Sequence, residues 1–217
     1  MSGNTAVDNY VLSHYSSKAK ATGVINGKTQ TGFETFCVEF SQTFSPNTPY
    51  NTTVSPTIST GSHSFSQLTV GTAYLYSQFA QGTLSGYNYT PGTGREKTSD
   101  QLQDAIWYLQ GEISNGYQAQ NELYKFNAAT DPFLLLVNSL FSNVKESVAD
   151  YGSSFGVMVL NLTSKDKYGR TVYNQDQLVY CPVPEPATFA AGAMLLLPLG
   201  WSAVRVLRGK KDKQANS

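Results

Sequence analysis

The sequence predicts an α+β protein: a β-sandwich or barrel with an inserted helical subdomain, followed by one C-terminal transmembrane helix. Three observations predict it. β-prone runs stand near both ends of residues 1–181, amphipathic helical repeats lie between them, and a stretch of eighteen residues without formal charge, 187–204, comes close to the end of the chain. Only 14% of the 217 residues are charged, against 14 tyrosines and 18 glycines. That balance suits an extracytoplasmic β-rich module better than a helical cytosolic enzyme.

In chain order, "ATGVING" (21–27) and "GFETFCVEFSQTF" (32–44) read as strands separated by a Gly-rich turn. Strict alternation in the second puts Cys37 on one face with Glu39, and Phe36, Val38 and Phe40 on the other. Residues 45–69 are rich in Pro, Asn, Ser and Thr and read as loop with at most one short strand. "GTAYLYSQFAQGTL" (71–84) has helical spacing and stops near Gly82, and residues 85–97 read as a polar loop. "TSDQLQDAIWYLQGEI" (98–113) carries the clearest helical stripe, Leu102, Ala105, Ile106, Leu109 and Ile113. Thr98 with Gln101 reads as a capping box, and Asp100 suits the first turn. Gln103 lies one residue off the stripe, with Trp107 a turn further on its own side. A third helix is expected from Pro132 to near Gly152. Two late strands, 155–163 and 176–183, flank the hairpin-like "SKDKYGRT".

Several function classes are excluded or weakened. Outside the C-terminus there is no basic stripe for nucleic acid. A hydrolase is disfavoured, because His14 and His63 sit in polar, loop-like surroundings and no G-x-S-x-G elbow is present. Two distant cysteines and no clustered histidines give no metal-ligand spacing, so neither metal nor cofactor is expected. Glu34, Glu39, Glu96 and Glu112 read as solvated or capping acids rather than a glycosidase pair. Tyr87 and Tyr89 suggest sugar stacking only weakly, since exposed tyrosines are common in such domains.

Charge is distributed unevenly. Residues 205–217 hold five cations (Arg205, Arg208, Lys210, Lys211, Lys213) and one acid, Asp212. Taking these from fifteen of each sign leaves residues 1–204 with ten cations and fourteen acids, net −4. The run from Ala187 to Val204 is near the shortest length that spans a bilayer, with Trp201 at its end and Arg205 and Arg208 beyond as a positive-inside anchor. The basic tail is then expected in the cytoplasm and the body outside. "VPEPAT" precedes the span, with Pro184, Glu185 and Pro186 forming a stiff extended segment. Pro-Glu-Pro, one span and a short basic tail together resemble the PEP-CTERM sorting signal of Gram-negative surface proteins. The resemblance covers Val183 to Lys213 and implies processing by an exosortase, a membrane transpeptidase, with a place at the cell surface or in an extracellular polysaccharide or biofilm matrix. Residues 1–21 have no apolar leader, so the export signal is expected upstream of this start.

Two short motifs in the body carry a second resemblance. "Phe36-Cys37-Val38-Glu39" has the form aromatic-Cys-aliphatic-acid, and "Leu102-Gln103-Asp104-Ala105-Ile106-Trp107" the form aliphatic-Gln-x-x-aliphatic-Trp. In this order they resemble bacterial thioester domains, the covalent adhesin modules of Gram-positive surface proteins. That likeness implies a β-barrel or sandwich with a helical subdomain. It also implies a thioester joining the Cys37 sulfur to the Gln103 acyl carbon, open to attack by an amine on a surface or matrix partner. Phe36 and Trp107 would then shelter the bond, and Glu39 would accept the thiol proton. Such chemistry is used once, so the chain is not an enzyme. Other readings of the same residues stay open. Cys37 is a buried filler, or it is disulfide-bonded to Cys181, or Gln103 only assists a cap with Asp100. Under these readings the protein is a non-covalent structural or carbohydrate-matrix component.

Overall fold

The computed structural model describes residues 3–6, 21–25, 28–45, 49–59, 65–118, 125–148 and 155–181. The chain divides into two units, Met1–Pro182 and Val183–Ser217. The second unit, with the sorting motif, the expected span and the basic tail, lies outside the described residues, as do His14 and His63. No described helix is long and apolar enough to cross a membrane.

The first unit is α+β. Strands β1 (Gly3–Ala6), β2 (Ala21–Ile25), β3 (Lys28–Phe33) and β4 (Pro49–Ser55) come first. Helices α1 (Val70–Ala80), α2 (Thr93–Leu109) and α3 (Pro132–Leu140) follow, and β5 (Val157–Lys165), β6 (Thr171–Tyr173) and β7 (Gln177–Tyr180) come last. All pair antiparallel in one sheet of order β3-β2-β1-β4-β5-β6, with β7 also on β5.

β6 and β7 lie along the same flank of β5. Thr163 faces Tyr173 and Leu160 faces Gln177, so four steps on one strand meet three on the other. The extra residue falls within Asn174–Asp176, a bulge that shifts the alternation of every side chain after it. Past β7 the sheet meets the continuation of β3. Cys37 bridges to Gln177, Val38 N–H donates to the Asp176 carbonyl, and Leu178 N–H donates to the Phe36 carbonyl.

Each helix departs from its expected bounds for an identifiable reason. α1 starts after Thr69, whose hydroxyl accepts from Thr72 N–H. It ends in a left-handed Gly82, with Gly82 N–H on the Phe79 carbonyl and Thr83 N–H on that of Gln78. α2 begins five residues before Thr98, after Gly92, which offers no side-chain cap. The capping box expected at Thr98 and Gln101 is therefore corrected. Thr98 Oγ1 donates back to the Gly94 and Arg95 carbonyls instead, as a mid-helix threonine does, and Asp100 and Gln103 are interior to the helix. The expected loop 85–97 loses its last five residues to this helix. α2 stops at Leu109 rather than 113 because Gly111 takes φ +80°, with Glu112 N–H closing onto the Trp107 carbonyl.

α3 is capped by Asp131, which accepts from Phe133 and Leu134 N–H, but it ends at Leu140 rather than near 152. Beyond it the backbone of 144–148 bonds to residues 68–71, a non-local ladder that replaces further helix. The one short strand allowed within the expected loop 45–69 is the seven-residue β4, whose Asn51-Thr52-Thr53 lacks the apolar alternation that marks a half-buried strand. The expected strand over 32–44 ends as regular strand at Phe33.

The stripe Leu102, Ala105, Ile106, Leu109 and Ile113 is buried as its spacing predicts. It packs with α1 and α3 in one core that includes Leu75 and Phe133, and α1 in turn meets β5 and β7. α1 approaches α2 closely at Gly71, where an added Cβ would stand 3.0 Å from Leu109 Cδ2.

Candidate functional site

The segment 34–40 lies between β7 and α2 and is tied to both. On the helix side it descends α2 step by step. Glu34 pairs with Arg95, Cys37 with Gln103, and Phe40 with Trp107. Below Trp107, the Phe40 N–H donates to Glu112 Oε2 at 3.0 Å. The Glu34 carbonyl also accepts from Tyr76 OH at 2.8 Å. Burial raises the Tyr76 phenol far above its ordinary range, so it stays a neutral donor.

Cys37 and Gln103 are both fully buried and in direct contact. Cys37 N–H donates to Gln103 Oε1 at 2.9 Å, and Gln103 Nε2 donates to the Cys37 carbonyl at 2.8 Å. One carboxamide thus satisfies both main-chain groups of the cysteine, an arrangement that fixes the amide plane and polarises its C=O.

The thiol itself meets a residue that sequence reasoning did not single out. Gln177 Nε2 lies 3.4 Å from Cys37 Sγ and Gln177 Oε1 3.8 Å from it, with Gln177 fully buried. Cys37 and Cys181 are both thiols. Since Cys37 bridges to Gln177, Cys181 lies four residues further along, about 13 Å away at strand rise, and a disulfide needs Cα atoms within about 7 Å. Burial raises the Cys181 thiol to about 11.

Glu39 is fully buried, not solvated. Its carboxylate accepts from Asp176 N–H at 2.8 Å, its carbonyl accepts from Gln175 Nε2, and its side chain hydrogen-bonds the Asp176 carboxyl. Asp176 also receives Ser59 N–H, Ser59 Oγ–H and Asn161 Nδ2–H, yet burial pushes its carboxyl upward. Half-buried Glu112 accepts from the Phe40 N–H, a capping role.

The two aromatic residues expected as shelter part company. Phe36 points into the core, edge-on to Phe79 at 4.9 Å and to Tyr76 at 6.5 Å. Trp107 instead meets Phe40 at 5.2 Å, and Phe40 meets Tyr117 at 5.1 Å. The aromatic cluster that forms on Trp107 is therefore Phe40 and Tyr117, with Phe40 three residues past Cys37 and Trp107 one helical turn past Gln103. Tyr87 is buried on Ser99 at 2.6 Å, so its ring is not presented to a sugar, and half-buried Tyr89 lies tilted against it at 4.7 Å.

Among the described residues no group of three His, Cys, Asp or Glu side chains is placed to hold a metal. Surface clefts at Tyr108, Leu134 and Lys145, and along Asn115–Gly116 and Lys125–Asn127, are not lined by Cys37 or Gln103. Comparison with family models, curated proteins and solved structures returned no match.

Proposed function

We propose that this chain is an exosortase-sorted surface or matrix protein whose body forms an internal thioester between Cys37 and Gln103 and attaches covalently to an amine-bearing partner. The carrying observation is the reciprocal pair of hydrogen bonds between the Gln103 carboxamide and the Cys37 peptide. The Cys37 N–H on Oε1 is the donor an oxyanion needs when sulfur adds to that carbonyl. In the step, Sγ bonds to Gln103 Cδ, the C–N bond breaks, and the thiol proton leaves with nitrogen as ammonia. A primary amine later bonds to the same carbon, the C–S bond breaks, and Cys37 recovers a thiol by taking a proton from the amine. Glu39 with Asp176 is suited to relay that proton.

The same reading has the continuation of β3 close the sheet onto β7 as a barrel, which the hydrogen bonds of residues 36–38 support. It also has residues 187–204 as a membrane helix, with the body extracytoplasmic and released to the surface or matrix after processing at Pro184-Glu185-Pro186. A second reading is favoured by one observation, that Gln103 is already satisfied as a main-chain clamp while the thiol rests on Gln177. There the protein is a non-covalent matrix component. Intact mass separates the two. The first expects loss of one ammonia, abolished in Cys37→Ala and in Gln103→Ala and reversed by methylamine. An unmodified mass with an alkylatable Cys37 would sink it.

A further inference from the structure

We propose that Gln177 is the residue that stabilises the Cys37 sulfur as a thiolate, both when the sulfur attacks and when an amine expels it; this rests on the thioester reading. Gln103 engages only the main chain of Cys37 in the hydrogen bonds described, and the side chain that meets Sγ is Gln177, at 3.4 Å through Nε2. Its Oε1, at 3.8 Å, is placed to accept the S–H of the neutral thiol. A carboxamide therefore serves both protonation states, donating to S⁻ or accepting from S–H, without bringing a charge of its own into a buried site.

The position is built rather than incidental. Gln177 is fully buried, bridges Cys37 across the strand pair, and is anchored by a second bond from Nε2 to the Gln175 carbonyl at 3.3 Å. The bulge at 174–176 sets its register. Without the extra residue, position 176 would pair with Leu160 and an aspartate would occupy the place opposite Cys37. A carboxylate there would oppose the thiolate; the bulge instead directs Asp176 to Ser59, Asn161 and Glu39.

When an amine opens the thioester, the C–S bonding pair returns to sulfur in a site closed to water. An N–H already aimed at Sγ stabilises that charge as it forms, which makes Gln177 a leaving-group donor distinct from Glu39 and Asp176, which handle protons.

The test uses the full chain in a Cys181→Ser background, comparing Gln177 with Gln177→Met and Gln177→Glu, which keep length but lose the donor. Methylamine opening at fixed pH, followed by intact mass, is expected to slow about tenfold in both, the worth of one hydrogen bond to a charged atom. Peptide mapping should still join Cys37 to Gln103. An unchanged or faster rate, or a cross-link that contains Gln177, overturns the proposal. Iodoacetamide alkylation of Cys37, measured after opening or on the chain as isolated if no ammonia has been lost, gives an independent reading. Loss of thiolate stabilisation slows alkylation, whereas mere loosening of a buried thiol speeds it. A wild type without ammonia loss ends the thioester reading, and the alkylation rates still decide whether Gln177 acts on the sulfur.

Discussion

Asp131 shows how one residue can be well placed and still costly. Its carboxylate accepts two N–H groups at the start of α3, yet burial pushes it up to about 6 from an ordinary 3.8. A carboxyl whose folded value is raised contributes most while protonated. Its contribution is complete below about pH 4 and is lost as pH climbs towards 6. Asparagine caps as well without carrying charge. Asp131→Asn should therefore be no more stable than wild type at pH 3.5 and more stable by about 1–3 kcal/mol above pH 7. Urea unfolding at both pH values reads this, and an equal difference at the two would refute it. The cap was legible, because Asp before Pro at the head of an apolar run is a local signal. Its burial was not, because neighbours distant in sequence supply it.

At the scale of elements, the segment 34–40 is held by α2 over much of the helix, from Arg95 to Trp107 and on to Glu112 beyond its end. The thioester likeness implied that Phe36 would share the shelter with Trp107. The chain leaves regular strand geometry after Phe33, and Phe40 takes that place while Phe36 turns to Phe79. Phe40 is still 41% exposed, so Phe40→Ala should cost only about 1 kcal/mol of stability. It should nevertheless shorten the life of the thioester, seen as uptake of one water in intact mass during storage. Equal lifetimes would show that the aromatic trio keeps no water out. The start of α2 was misread for a physical reason. Its first turns, Thr93–Thr98, are polar and mostly exposed and its cap is a glycine, so the signal at Thr98 was the stronger one.

For the molecule as a whole, the proposed sorting takes the acidic body as the part displayed and the Pro-Glu-Pro segment with the basic end as the part removed. Changing Pro184→Ala together with Glu185→Ala should leave the tail uncleaved and the protein in the membrane fraction of a host carrying the sorting enzyme. Normal release of the double variant would end the sorting reading.

What the sequence determined by itself is what short-range periodicity and composition carry. It determined the α+β class, the buried stripe of α2 and the separation of charge, while the resemblance to thioester domains singled out Cys37 and Gln103 as the residues to compare. The tertiary structure decided which carboxamide holds the backbone of Cys37 and which holds its sulfur, and it buried Glu39 against Asp176. The placement of Gln177 on the sulfur and of Asp176 on Glu39 depends on one extra residue between β6 and β7, which shifts the alternation of all that follows. No local pattern reveals such a shift, because register is a property of two strands rather than of one.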